Sequence, residues 1–148
     1  MTTYQTWGPK DDPQTPAAPS TTGALFSHLS HVLCLITGFP YLAWIPALAI
    51  RASARDEHTR SHATTALNFV LTQLIAWGAG FLALVGLMTV GTFDDGHETL
   101  FLLGLIPLCL GFLAYLAFGV AYSIIGMMRA TRLEPFQYPV YLAFPMVR

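Results

Sequence analysis

The stretch Arg60-Ser61-His62-Ala63-Thr64-Thr65-Ala66-Leu67-Asn68-Phe69-Val70-Leu71-Thr72-Gln73 decides the fold. Within it a short polar loop becomes a long apolar helix. Charge and imidazole mark its start, and an amide, Asn68, follows about two turns in. From Ala63 to Val90 no charge and no proline interrupts the run. An amide inside such a helix is costly unless a neighbouring helix satisfies it. The rest of the chain is expected to supply that neighbour.

The run has two unlike sides. Thr65, Asn68, Thr72, Ala76, Ala79, Ala83 and Gly86 recur at steps of three and four, which places them on one helix face. Leu67, Leu71, Leu74, Phe81 and Leu82 occupy the other. A small, polar face opposite a bulky one is the pattern of a membrane helix with protein on one side and lipid on the other.

Two more apolar runs flank it. Leu25–Ile50 is long enough to cross a bilayer of about 30 Å, but Gly38, Pro40 and Pro46 interrupt it. Proline removes a backbone donor and clashes with the preceding turn, so a break near Gly38-Phe39-Pro40 is expected. Ser27, Ser30, Cys34 and Thr37 form a small polar stripe on its first half, with His28 and His31 one turn apart. Downstream, Leu100–Met128 carries Gly104, Gly111, Ala114 and Ala121 at helical spacing, with Tyr115, Gly119, Tyr122 and Gly126 on the adjoining flank. Small residues let backbones approach, and tyrosine hydroxyls bond across helices. Pro107 is expected to bend this third run.

Composition supports the same class. Of 148 residues 54% are hydrophobic and 10% charged, against roughly 25% charged in soluble domains. So few charges cannot cover a globule. The net charge of −1 gives no hint of nucleic-acid binding. Cys34 and Cys109 lie inside apolar runs and read as small core residues, with no disulfide framework or paired-cysteine metal motif. Residues 1–22 are polar, with four prolines, and read as a disordered, solvated tail rather than a signal peptide. Residues 23–148 form the membrane domain.

Charge sets the orientation. Arg51, Arg55 and Arg60 lie between the first two runs, and Arg129, Arg132 and Arg148 follow the third. The loop between the second and third runs has Asp94, Asp95, His97 and Glu98 but no Lys or Arg. The positive-inside rule puts the first loop and the C-terminus in the cytoplasm, in a multi-pass cell-membrane protein. Two arrangements then remain open. Three full spans, about 25–50, 63–90 and 100–128 with the first broken, leave the N-terminal tail outside. A hairpin broken at Pro40 gives four helical pieces with both termini inside. Each half of such a hairpin has about a dozen residues, short of the roughly 20 needed to cross, and this favours three spans. After Met128, Pro135, Pro139 and Pro145 forbid a long helix, while Phe136, Tyr138, Tyr141 and Phe144 suit the headgroup zone. The tail reads as an extended segment packed under the bundle.

His62-Ala63-x-x-Ala66-Leu67-Asn68-Phe69 at the head of a membrane helix resembles the signature of the Tic-twenty-like family of small bacterial membrane proteins. That family is distantly similar to a chloroplast inner-envelope protein-import component. His28-Leu29-Ser30 and Ala130-Thr131-Arg132 with Glu134 and Tyr138-Pro139 resemble its opening and closing motifs. Val70 and Leu133 depart from it, standing where glutamine and glycine are common. The resemblance implies a helical membrane module with a role in assembling or moving other proteins, and no known catalytic reaction.

The candidate sites follow. Ser27, His28, Ser30, His62, Asn68, Thr72, Gln73, Gly111 and Tyr122 are read as the polar, close-packed core, with Asn68 bridging to Ser27, Ser30 or Tyr122, or else facing a polar cavity. Arg51, Arg55, Arg60, Arg129, Arg132, Tyr138 and Pro139 are assigned to the lipid-headgroup interface. His58 and His62, four apart, have the spacing of a zinc-binding pair. No glutamate base lies between them, and the third ligand would have to be His28 or His31. The simpler reading is that His62 donates to a carbonyl and His58 is solvated. No nucleophile–base pair or phosphate loop is present, and the spans lack carboxylate and lysine, which disfavours a proton-coupled pump. The sequence thus predicts a non-catalytic subunit without cofactor, partnered by the bilayer and by another membrane protein or a second copy. A translocation or channel assembly, and a metal-dependent membrane enzyme, are the alternatives.

Overall fold

The computed structural model describes residues 18–93 and 98–147. Most of the N-terminal tail, and Asp94, Asp95 and His97 of the acidic loop, lie outside them. Among the described residues the chain is all helical: α1 (Thr21–Ile36), a short 3-10 turn (Pro40–Leu42), α2 (Trp44–Ser53), α3 (Glu57–Phe93) and α4 (Glu98–Thr131). An extended tail follows.

The first apolar run is therefore two helices. Gly38 stops α1 because it takes φ of 78°, in the left-handed region. The N–H groups of Phe39 and Gly38 then turn back to the carbonyls of Cys34 and Leu35, at 2.9 and 3.2 Å. This is the Schellman arrangement, closed by the following proline. α1 runs in the same direction as α3: Gly23 faces Thr59, His28 meets His62 and His31 meets Gln73. α2 returns the opposite way. Ala43 packs with Phe69 and Val70, Ala47 with Ala66 and Leu67, and Arg51 Nε donates to Thr64 Oγ1 at 3.0 Å. Of the two arrangements the sequence leaves open, the contacts match the four-piece hairpin. The length argument weighed only whether each half could cross, whereas α1 and α2 run out and back beside one half of α3.

α3 starts six residues before the apolar run. Asp56 caps it, accepting the Thr59 N–H at Oδ1 at 2.7 Å. Burial pushes the Asp56 carboxyl up, but hydrogen bonds from Thr59 and Ser20 and the nearby His58 together hold the group below its ordinary value. Thr59 also donates to the Ser20 carbonyl at 3.0 Å, which ties the start of α1 to the start of α3.

α4 continues through Pro107 and returns antiparallel along α3. Gly104 faces Leu87, Gly119 faces Phe69 and Gln73, and Gly126 faces His28. The starts of α1 and α3, the end of α2 and the end of α4 thus share one end of the molecule. The core sits there, built from Ala43, Phe69, Val70, Phe136, Tyr138 and Leu142. The far halves of α3 and α4 stand alone, with Phe81, Leu82, Leu103 and Leu110 more than 60% exposed.

Candidate functional site, a buried imidazole chain under the tail

α4 ends in a second Schellman turn. The Glu134 N–H reaches the Arg129 carbonyl at 3.0 Å and the Leu133 N–H reaches Ala130 at 3.3 Å. Leu133 occupies the left-handed position, φ 58°, that glycine fills at Gly38. The turn throws the tail back across the bundle. Tyr138 lands flat on Phe69, ring centroids 4.2 Å apart and planes 11° from parallel, with Phe136 edge-on to both His28 and Tyr138. Burial pushes the Tyr138 hydroxyl well above the ordinary range, with a bond to Ser123 pulling partly back. Beyond a turn closed by the Pro139 carbonyl on the Leu142 and Ala143 N–H groups, the tail runs along α3. Asn68 Oδ1 accepts the N–H groups of Met146 and Val147 at 3.1 and 2.7 Å, and its Nδ2 donates to the Val147 carbonyl at 3.0 Å. Thr72 Oγ1 accepts the Phe144 N–H at 2.9 Å. Asn68 and Thr72 thus satisfy an extended segment much as a neighbouring strand would.

Under the tail lies a continuous chain of polar side chains. His62 Nε2 is 3.0 Å from the Glu134 carbonyl and His62 Nδ1 is 3.0 Å from His28 Nε2. His28 Nδ1 is 3.0 Å from Tyr138 Oη, which is 3.1 Å from Ser123 Oγ. Ser123 Oγ is 3.0 Å from His31 Nδ1, and His31 Nε2 is 2.6 Å from Gln73 Oε1. α1, α3, α4 and the tail each contribute. All of these side chains except that of Glu134 are buried. Two glycines make room: a Cβ at Gly126 would lie 2.8 Å from the His28 ring, and one at Gly119 would lie 2.9 Å from Phe69 and 3.2 Å from Gln73 Nε2.

Of the residues singled out from sequence, His28, His62 and Gln73 belong to this chain. Asn68 and Thr72 lie beside it, holding the tail. Asn68 bonds to the tail backbone rather than to Ser27, Ser30 or Tyr122, because the returning tail runs along its face. Ser27 and Ser30 are buried and bond locally, to the carbonyls of Ala24 and Ser27. Tyr122 is half-buried, its hydroxyl 3.4 Å from that of Tyr141. Gly111 is exposed, with nothing within 4 Å of a Cβ placed there. Tyr138, expected among headgroups, is in the core. His31 was named only as a possible third metal ligand, and Ser123 was not singled out. The only signal for His31 was its spacing of three from His28; Ser123 had none.

His58 and His62 are each engaged by backbone or side-chain partners. His58 Nε2 donates to the Ala130 carbonyl at 3.3 Å, and both nitrogens of His62 are engaged. Among the described residues no three His, Cys, Asp or Glu side chains converge as a metal site.

The arginines lie at the same end. Arg55 and Arg132 are exposed, and Arg129 sits 6.0 Å over the Phe136 ring. Arg51 and Arg60 help to line an open cavity of about 690 Å³, with Glu57, Ser61, Thr64 and Asn68 on one side and the tail on the other.

A model of the magnetosome magnetite crystal formation protein family (MamF/MmsF) matches residues 20–147, and the chain belongs to that family. No curated protein and no solved structure matches. The family match overturns the Tic-twenty-like resemblance. The motifs that carried that resemblance hold packing positions here: His62 and Asn68 hold the tail, and residues 134–139 are the extended segment that leaves the turn at Leu133.

Proposed function

We propose, on the premise of that family membership, that the chain is a non-catalytic integral membrane protein that serves magnetite crystal formation as an assembly or interaction subunit. The observation that carries the reading is the bare outer half of the α3–α4 pair. Glu57–Thr89 and Phe101–Thr131 are long and apolar enough to cross a membrane. The most apolar window of the first is only 17% buried within the protein, and that of the second 0%. Core helices of a water-soluble fold would be covered. Lipid, or a second protein, is the solvent that fits.

In this reading α3 and α4 span as a hairpin, and α1 with α2 forms a re-entrant pair entering from the end that carries the arginines. By the positive-inside rule that end faces the cytoplasm, and Arg51 and Arg60 meet anionic headgroups at the cavity mouth. Gly78, Gly80 and Gly86 have nothing within 4 Å where a Cβ would stand. They leave room for the close approach of another helix, from another membrane protein or a second copy.

The experiment is deletion of the gene in a magnetite-forming cell with complementation by wild type and by a Gly80→Leu variant, alongside purification in lipid nanodiscs. The reading expects altered crystals on deletion, rescue by wild type, a defined assembly larger than one chain, and loss of that assembly in the variant. Unchanged crystals, or a single chain in every lipid mixture, would contradict it.

A further inference from the structure

Proton counting in the buried chain leads further. From the Glu134 carbonyl to Gln73 Oε1 there are six links. Both terminal atoms are oxygens that only accept. Between them stand three neutral imidazoles, one phenol and one serine hydroxyl, each with a single proton to give. Five protons cannot fill six links.

Two arrangements close the gap. In one, the Gln73 carboxamide turns over and its Nε2 donates to His31. Every link then points the same way, with His31 protonated at Nδ1 and His28 and His62 at Nε2. The turn also resolves a second anomaly, because Gln73 Nε2 as placed is buried with no partner. It would leave the oxygen beside Gly119, and an under-satisfied acceptor is tolerated better than an orphan donor. In the other arrangement Gln73 keeps accepting, at the 2.6 Å seen, and one additional proton makes one ring an imidazolium. Short contacts of this kind mark charge-assisted bonds.

We infer that the chain from Glu134 to Gln73 is a binding site for a single proton, and that the Gln73 carboxamide turns over when the proton enters or leaves. The charge is not fixed to one ring. When the His31 Nδ1 proton passes to Ser123, the serine proton passes to Tyr138 and the tyrosine proton to His28 Nδ1. Every oxygen keeps one proton and the charge has moved to His28. A matching transfer across the 3.0 Å His28–His62 contact brings it to His62. His58, with its ring centroid 4.6 Å from that of His62, stands at the half-buried end where solvent protons enter. The charged residues at that end are Asp56, which interacts with His58, Glu57 and Arg60 of α3 at the cavity, Arg129 over Phe136, Glu134 of the tail, the exposed Arg55 and Arg132, and Arg51, which α2 places on Thr64. α1 brings the two histidines and the thiol of Cys34. After His62 α3 carries no ionisable side chain to its end, so the path stops at Gln73. The site stores a proton rather than conducting one across.

The test is ¹⁵N solid-state NMR of the full chain in lipid vesicles, labelled at histidine and glutamine, with pH varied. The expected result is one proton taken up by the cluster per chain, the tautomers given above in the neutral form, and a Gln73 side-chain resonance that changes with the same midpoint. Separate titrations with more than one proton bound, or a Gln73 resonance indifferent to the histidines, would overturn the inference. In Gln73→Glu the ionised terminal group can only accept, so the imidazolium should persist about one pH unit or more above wild type, a tenfold change in proton affinity; an unchanged midpoint would count against the site. His58→Gln should leave the count at one, and a count of zero would place the proton on His58 instead.

Discussion

Asn68 holds Val147 by both backbone polar groups: its Oδ1 accepts the Val147 N–H at 2.7 Å and its Nδ2 donates to the Val147 carbonyl at 3.0 Å. The two residues are 79 apart in sequence. A single amide therefore seats the end of the tail. Asn68→Ala should leave the Met146 and Val147 backbone groups without this partner, at about 1–3 kcal/mol. Hydrogen exchange should show lost protection at both amides, while Leu142, tied to the Pro139 carbonyl, stays protected.

The glycines of α4 divide by what they face. Gly126→Ala drives a Cβ to 2.8 Å from the His28 ring, a rigid group in a filled core, and should cost about 1–3 kcal/mol. Gly111→Ala enters open space and should be neutral or gain up to about 1 kcal/mol from helix propensity. Unfolding midpoints in a denaturing-detergent titration would separate the two; equal losses would show that the α1–α4 contact is not as close as described.

The two Schellman turns make a matched pair. Leu133 at φ 58° is in a conformation that glycine adopts without strain. Leu133→Gly should stabilise the chain by about 1 kcal/mol, and Gly38→Ala should destabilise it by a similar amount. The same titration checks both, and the opposite signs are the diagnostic result.

Asp56 gives a pH dependence with a definite sign. Its folded carboxyl lies below the ordinary value of 3.8 because bonds from Thr59 and Ser20 and the nearby His58 together outweigh the effect of burial. Its contribution is therefore present above the unfolded value and lost as pH falls through the lower folded one. Asp56→Ala should cost about 1 kcal/mol at neutral pH and should be indistinguishable from wild type in strong acid. A deficit that persists unchanged at low pH would assign the loss to something other than the cap.

The helix content and three apolar runs were legible because long, charge-free segments leave little choice of structure. The break at Gly38-Pro40 was legible too, but not its outcome: whether a broken run kinks or reverses depends on which face of α3 offers contacts, and no local rule carries that. Asn68 announced itself as an amide needing a partner. Its partner could not be read, because backbone groups of a proline-rich tail leave no side-chain pattern. The imidazole chain was half visible in His28 and His62. Its remainder needed Ser123 and Tyr138, ordinary residues brought together only by the turn at Leu133. The family was misread because the resemblance rested on three short motifs at helix ends, whereas the family model matches residues 20–147 as a whole.

The central claim is that α1 and α2 enter and return on one side while α3 and α4 cross. With Cys34 and Cys109 replaced by serine, single cysteines at Thr22, at Arg132 and in the 94–97 connection can be probed with a membrane-impermeant thiol reagent in sealed vesicles of known orientation. The account predicts that Thr22 and Arg132 react from the same side and the 94–97 connection from the other. Labelling of Thr22 and Arg132 from opposite sides would contradict it and restore three full spans.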